Sequence, residues 1–159
     1  MTALTEGAPA PGFTATATAR DGDKAVSLEE FKGEQAVVLY FYPKDDTPGC
    51  TTEACSFRDQ SKEFEAAGAA ILGVSPDSTK AHAKFRDKFA LPFPLVADSD
   101  HAIAEAYGVW GEKRMYGRAY MGVLRTTFVI DKDGVIRKIF PNVKVDQHAA
   151  DVLAAVKEL

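Results

Sequence analysis

Ala36-Val37-Val38-Leu39-Tyr40-Phe41-Tyr42-Pro43-Lys44-Asp45-Asp46-Thr47-Pro48-Gly49-Cys50 is the stretch on which the fold turns. Its first seven residues carry no charge and are mostly β-branched or aromatic, which predicts a short central strand over 36–42. Pro43 can end that strand, because it has no N–H to give to a ladder. Pro48 suits the first position of a helix, which makes Thr47 the expected N-cap, with Gly49 also a plausible cap. A helix is expected from about 48 to 67, ending at Gly68, and a second buried strand follows over Ala70–Ser75.

The same punctuation extends to both sides. Gly7 to Gly12, with Pro9 and Pro11, reads as a lead-in loop. Phe13–Thr18 alternates with the period of a half-buried strand, Asp21-Gly22-Asp23 reads as a turn, and Ser27–Phe31 as a short capped helix near Gly33. Further on, Asp77 or Ser78 caps a helix through Phe89, Leu95–Asp98 is a short strand, and 100–107 a short helix. Arg125–Asp131 and Val135–Phe140 form a hairpin about Asp131-Lys132-Asp133-Gly134, and a last helix spans about Asp146 to Lys157. Strands separated by helices predict an α/β layered fold with helices on both faces of the sheet, and the closing hairpin makes part of that sheet antiparallel.

The chain has 159 residues, of which 46% are hydrophobic and 26% charged. A single domain over 1–159 is the simplest expectation, since a chain of this size buries enough surface to fold without staples. A formal net charge of −4 argues against a nucleic-acid or anionic-membrane partner. No apolar run is long enough for a membrane span. Met1–Glu6 shows neither a basic nor an apolar leader segment, so a cytoplasmic location is expected. A disulfide in that compartment is more often transient than structural.

Both cysteines lie at the corner. With Thr47 as N-cap, Cys50 occupies the third helical position, beside the free N–H groups of the first turn and the positive end of the helix dipole. These surroundings favour a thiolate nucleophile over a thiol. Cys50, Ala54, Phe57, Ser61 and Phe64 follow a helical stripe, which turns Cys50 inward. Cys55 is five residues on. In an intact helix the two Cα atoms lie roughly 8–9 Å apart, beyond the roughly 7 Å limit of a disulfide. A Cys50–Cys55 bond therefore requires the helix start to unwind, which suits a catalytic cycle better than a permanent bridge. The bland alternative is that a free cysteine is a small buried hydrophobe. The spacing is not the C-x-x-C of a dithiol exchange enzyme.

Pro43-x-x-x-Thr47-x-x-Cys50 resembles the P-x-x-x-T/S-x-x-C signature of the peroxiredoxins. The longer string Phe41–Cys55 is similar to the bacterioferritin comigratory protein, or PrxQ, subfamily. The resemblance continues through Gly108–Lys113, Met115-Tyr116-Gly117 and Arg125–Asp131, and so covers nearly the whole chain. It implies a thioredoxin-like fold with a mixed central sheet, and a thiol-dependent peroxidase acting on hydrogen peroxide and alkyl hydroperoxides. By the same resemblance Cys50 is the peroxidatic cysteine and Cys55 the resolving one. Thr47 positions the peroxide, Pro43 shields the sulfenic acid, Arg125 polarises the O–O bond, and Glu53 orients Arg125. A thioredoxin-like or glutaredoxin-like reductant restores the dithiol, no metal, haem or flavin is needed, and a monomer suffices. A redox sensor or holdase switched by the same disulfide is the rival from another class.

Other residues read plainly. His82, His101 and His148 show no metal-ligand spacing and are expected at the surface. Asp98, Asp100, Asp131 and Asp133 are expected in turns and caps. Trp110, Met115, Tyr116, Tyr120 and Met121 are expected either as ordinary core or as an apolar rim to the site.

Overall fold

The computed structural model describes residues 4–159. The start of the segment read above for a leader, residues 1–3, lies outside the described residues. The chain begins with a hairpin of β1 (Thr14–Ala19) and β2 (Gly22–Ser27), followed by a 3-10 turn over Leu28–Phe31. Ser27 caps that turn, its side chain accepting from the Glu29 N–H. Then come β3 (Ala36–Phe41), α1 (Pro48–Asp59), α2 (Ser61–Ala66), β4 (Ala69–Ser75) and α3 (Thr79–Phe89). β5 (Leu95–Ala97) and α4 (Ala102–Ala106) lead to a second hairpin, β6 (Trp110–Met115) and β7 (Arg118–Val123). β8 (Thr126–Ile130), β9 (Ile136–Phe140) and α5 (His148–Lys157) complete the chain.

Seven strands form one mixed sheet in the order β2-β1-β5-β4-β3-β8-β9. β3, β4 and β5 run parallel, joined by helical crossovers, while β1, β8 and β9 pair antiparallel to their neighbours. Every residue of β3 is buried, as expected of a central strand in a sheet covered on both faces. Val38 and Tyr40 face one core with Phe57 and Phe64 of α1 and α2 and with Val152 of α5. Val37, Leu39 and Phe41 face a second core with Ile103, Tyr107 and Phe128. Gly73 on β4 is needed where it stands: a Cβ there would lie 2.9 Å from the Tyr40 ring and from Leu95.

The structure departs from the sequence reading in four places. β2 was not expected. Only Val26 of its six residues is fully buried, so this edge strand lacks an apolar pattern. The helix expected over 48–67 is two, broken at Gln60 (φ −108, ψ 11). Asp59 and Ser61 flank the break, with short polar side chains that compete for backbone hydrogen bonds. The stripe nonetheless continues across it, with Cys50, Ala54, Phe57 and Phe64 all buried.

The Met- and aromatic-rich segment is not core but a separate two-stranded sheet. Its turn residues, Tyr116 and Gly117, both have positive φ (52° and 77°), as a tight two-residue hairpin requires. Met115, Tyr116, Tyr120 and Met121 stand exposed on it. Finally, His82 (0% exposed) and His148 (4%) are core residues rather than surface ones. Both ring nitrogens of His82, and Nε2 of His148, have hydrogen-bond partners, which is what permits an imidazole to be buried. His101 is half-buried and lies flat on Trp110, ring centroids 3.9 Å apart.

Candidate active site

β3 delivers the chain to the carboxyl end of the parallel strands, the usual place for a site in such sheets. There the chain turns through residues 43–47 and enters α1. Thr47 is the N-cap, in extended conformation (φ −101, ψ 157), with Pro48 inside the first turn. The alternative cap at Gly49 is not used. Thr47 departs from the simplest capping picture, because its hydroxyl makes no cap bond and instead donates to the Lys44 carbonyl at 2.8 Å. That commits the hydroxyl proton and leaves the oxygen lone pairs free to accept from a ligand O–H.

The turn itself is pinned from behind. The Tyr42 hydroxyl donates to Asp45 Oδ1 (2.6 Å), and His82 Nδ1 lies 2.6 Å from Asp45 Oδ2. His82 Nε2 reaches the Val96 carbonyl (3.0 Å). Asp77 Oδ2 accepts from the Asp45 N–H (2.8 Å) and the Ser75 hydroxyl (2.6 Å). Among the described residues Asp45, Asp77 and His82 are the one group whose potential ligand atoms lie close enough to share a metal ion, within 4.8 Å. A metal there would have to displace this hydrogen-bond network, so the group reads as a buttress for the turn. Sequence reasoning missed it because its three members lie on separate segments, the β3–α1 turn, the β4–α3 turn and α3.

Cys50 is 1% exposed at the third position of α1. The Arg125 guanidinium faces it: Nη2 donates to Cys50 Sγ at 3.2 Å, and Nη1 to Glu53 Oε1 at 2.6 Å. Arg125 arrives because β8 pairs antiparallel with β3, Thr126 opposite Phe41, so the start of β8 lies beside the end of β3. Glu53, one helical turn beyond Cys50, is 1% exposed. Burial raises its carboxyl to about 7 even though Arg125 pulls the other way. Burial alone would lower the Arg125 guanidinium, but the Glu53 and Cys50 charges outweigh it and hold its pKa above the ordinary value.

Behind Glu53 stands His148, the first residue of α5. Its Nε2 is 2.8 Å from the Thr127 hydroxyl and 3.7 Å from Glu53 Oε2. Burial lowers the imidazole to about 4; Asp151 opposes that shift and Arg125 adds to it. At neutral pH the ring is therefore uncharged. Nothing local in Asp146-Gln147-His148 signals this placement, since the partner helix is remote in sequence. Lys113, within β6 opposite Tyr120, donates to the Val123 carbonyl (3.0 Å). Burial and then the Arg125 charge push its ammonium down, and the Cys50 charge opposes them.

Of the six residues singled out from sequence, Arg125 is thus in direct contact with both Cys50 and Glu53. Thr47 and half-buried Pro43 form the turn that leads into the site. Cys55 lies in the same uninterrupted helix as Cys50, half-buried, and both thiols are free. Asp98 and Asp131 are the cap and turn residues expected: Asp98 accepts from the N–H groups of Ile103 and Ala104, Asp131 from those of Asp133 and Val135.

The chain resembles known proteins over this whole framework. It is 50% identical over 139 residues to peroxiredoxin Bcp of Bacillus subtilis, covering 87% of this chain and 88% of that one. It is 42% identical over 158 residues to peroxiredoxin Bcp of Escherichia coli K12, covering 99% of each. Peroxiredoxin Q of Xanthomonas campestris superposes with a TM-score of 0.85 at 42% identity, covering 92% of this chain and 90% of that chain. The bacterioferritin comigratory protein of the same organism, solved in trapped intermediate and ligand complexes bearing on alkyl peroxide reduction, superposes with a TM-score of 0.87 at 40% identity, covering 99% and 98%. The AhpC/TSA family matches residues 7–139. With a thioredoxin-like mixed sheet, and with its signature cysteine at the strand–helix corner, this chain belongs to the AhpC/TSA family and, within it, to the Bcp/PrxQ peroxiredoxins.

Proposed function

We propose that the chain is a peroxidase that reduces hydrogen peroxide and alkyl hydroperoxides through Cys50. The observation that carries this reading is the Arg125 fork, with one nitrogen on Cys50 Sγ and the other on Glu53. A guanidinium held in that way stabilises the thiolate before attack. It also offers N–H donors to the oxygen on which charge builds as the O–O bond breaks, and fixed donors of this kind are usually the largest contribution to such catalysis. Thr47 presents an oxygen that accepts the peroxide O–H, and the N–H groups of the first turn of α1 add to the positive field. Pro43 shields the corner from water.

In this reading Cys50 Sγ attacks the terminal peroxide oxygen and becomes a sulfenic acid, and the Cys55 thiol condenses with it, releasing water and forming a disulfide. Both cysteines lie on α1, so the first turns of that helix unwind for the bond to close. The bond forms within one chain, so a monomer is sufficient. A dithiol reductant of the thioredoxin or glutaredoxin kind then reopens it, at a reversible rung of cysteine oxidation. No metal or organic cofactor takes part. One domain over residues 1–159 and a cytoplasmic site of action complete the reading. No helix among the described residues is long and apolar enough to cross a membrane.

The test is stopped-flow consumption of stoichiometric hydrogen peroxide by the reduced protein, with intact mass of the product. Fast loss of peroxide and a mass lower by two hydrogens are expected. Consumption no faster than that of a free thiol would refute the reading.

A further inference from the structure

Glu53 Oε2 is fully buried and has no hydrogen-bond partner among the described residues. A carboxylate oxygen in that position is costly unless something compensates for it. Arg125 serves only the other oxygen, Oε1, and it also serves Cys50. With Cys50 and Glu53 both ionised, one guanidinium would face two buried anions. With one proton kept between them, the trio is neutral. The imidazole 3.7 Å from Oε2 is that of His148, wedged edge-on between the rings of Phe57 and Phe140 (centroids 5.8 and 5.5 Å).

We propose that Glu53 and His148 form a proton-holding pair behind Arg125, in which Glu53 Oε2 takes the proton that Cys50 gives up and His148 Nε2 accepts its hydrogen bond. His148 is thereby a positioning residue that acts on the thiolate through Glu53 and Arg125. The inference rests on the peroxidase reading and adds the proton inventory of its first step.

That step balances without any outside reagent. The Cys50 thiol transfers its proton to the Glu53 carboxylate, giving thiolate and carboxylic acid. Sγ then attacks the distal peroxide oxygen. The S–O bond forms, the O–O bond breaks with its electron pair going to the leaving oxygen, sulfur is oxidised and the peroxide reduced. Cys50 is now a neutral sulfenic acid, so Glu53 has Arg125 to itself and ionises. Its proton is the one that the departing alkoxide or hydroxide takes up.

The surroundings favour this arrangement. The charged and titratable groups facing Glu53 are Arg125, the buried Tyr40 hydroxyl and His148, with Cys50 on the other prong of Arg125. Those facing His148 are Arg125, Glu53 and Asp151 of its own helix. Burial brings the Glu53 carboxyl into the neutral range and keeps the imidazole unprotonated there, so a proton entering the pair settles on the carboxyl. The Thr127 hydroxyl shares Nε2 and, being a rotor, can turn to let the carboxyl donate.

The experiment uses the Cys55→Ser variant, in which oxidation stops at the sulfenic acid, and infrared difference spectroscopy between the reduced and peroxide-treated states. A protonated-carboxyl stretch should be present near neutral pH before peroxide and absent after it, and Glu53→Gln should abolish it. His148→Phe should shift that band. It should also move the pH midpoint of single-turnover peroxide consumption upward by about one unit, the scale of one lost hydrogen bond. His148→Gln, which keeps an acceptor, should restore most of both. If His148→Phe does not fold, His148→Leu takes its place as the variant without an acceptor, read against His148→Gln. A missing Glu53-dependent band, or a midpoint that ignores residue 148, would overturn the pair while leaving the peroxidase reading intact. Slow peroxide consumption by Cys55→Ser would instead overturn the peroxidase reading.

Discussion

Replacing Arg125 by Met removes both prongs of the fork while keeping a side chain of similar length. The contact at stake is the Nη2–Sγ hydrogen bond at 3.2 Å. At that distance and an effective dielectric near 20, the bare attraction is about 5 kcal/mol. Water and neighbouring dipoles take up part of the loss, because the Arg125 side chain is 18% exposed. Mutational series place a hydrogen bond to a charged group at about 1.5–3 kcal/mol, which is the better figure here. At 1.36 kcal/mol per unit, the pH of half-maximal alkylation of Cys50 should rise by about one to two units. Glu53 does not enlarge that shift. Without Arg125, burial alone acts on its carboxyl, which stays protonated and adds no negative charge. The assay is the rate of iodoacetamide modification against pH in a Cys55→Ser background, with circular dichroism to verify folding. Arg125→Lys keeps one charge but cannot span both partners, and should fall between the two. A midpoint moved by less than about half a unit in Arg125→Met would refute the claim that this arginine sustains the thiolate.

The remaining predictions concern the helix, the core and pH. Cys55→Ser should complete one fast oxidation and then stall, with one added oxygen in the intact mass; undiminished steady-state turnover with a thioredoxin-type reductant would rule out Cys55 as the resolving thiol. Gly49→Ala places a Cβ 3.3 Å from Arg125 Nη2. It should slow peroxide attack by displacing the guanidinium while raising helix stability by about 0.5–1 kcal/mol, so a faster first oxidation would count against the fork. Gly73→Ala inserts a methyl 2.9 Å from Tyr40 and Leu95 and should cost about 1–3 kcal/mol in urea unfolding; a neutral result would mean that β3 and β4 yield easily. His148, held at about 4 in the fold against 6.5 for a free imidazole, contributes stability that is complete above 6.5 and is lost as pH falls through 4. His148→Phe should therefore narrow its stability difference from wild type between pH 7 and pH 4.5, and a difference independent of pH would contradict a neutral buried imidazole.

Legibility was uneven for specific reasons. Cap chemistry placed Cys50 three positions into a helix, and helical periodicity turned it inward with Ala54, Phe57 and Phe64. The two parallel crossovers were legible because buried strands and their connecting helices differ in period. β2 was not, since an exposed edge strand leaves almost no apolar trace. The β6–β7 hairpin was missed although Tyr116-Gly117 marks its turn; of the two readings of its Met and Tyr side chains, core or apolar rim, their exposure removes the first.

By itself, then, the sequence determined the strand–turn–helix corner and the inward-facing position of its cysteine in the first turn of α1. Propensity, capping and periodicity act over a few neighbouring residues, and all the groups they need are within that stretch. The tertiary structure decided which charges that cysteine meets. Arg125 comes to it through the pairing of Phe41 with Thr126, and His148 through the packing of α5 on α1 beside Glu53. Contacts of that kind depend on register and packing between segments far apart in the chain, and no local pattern encodes them.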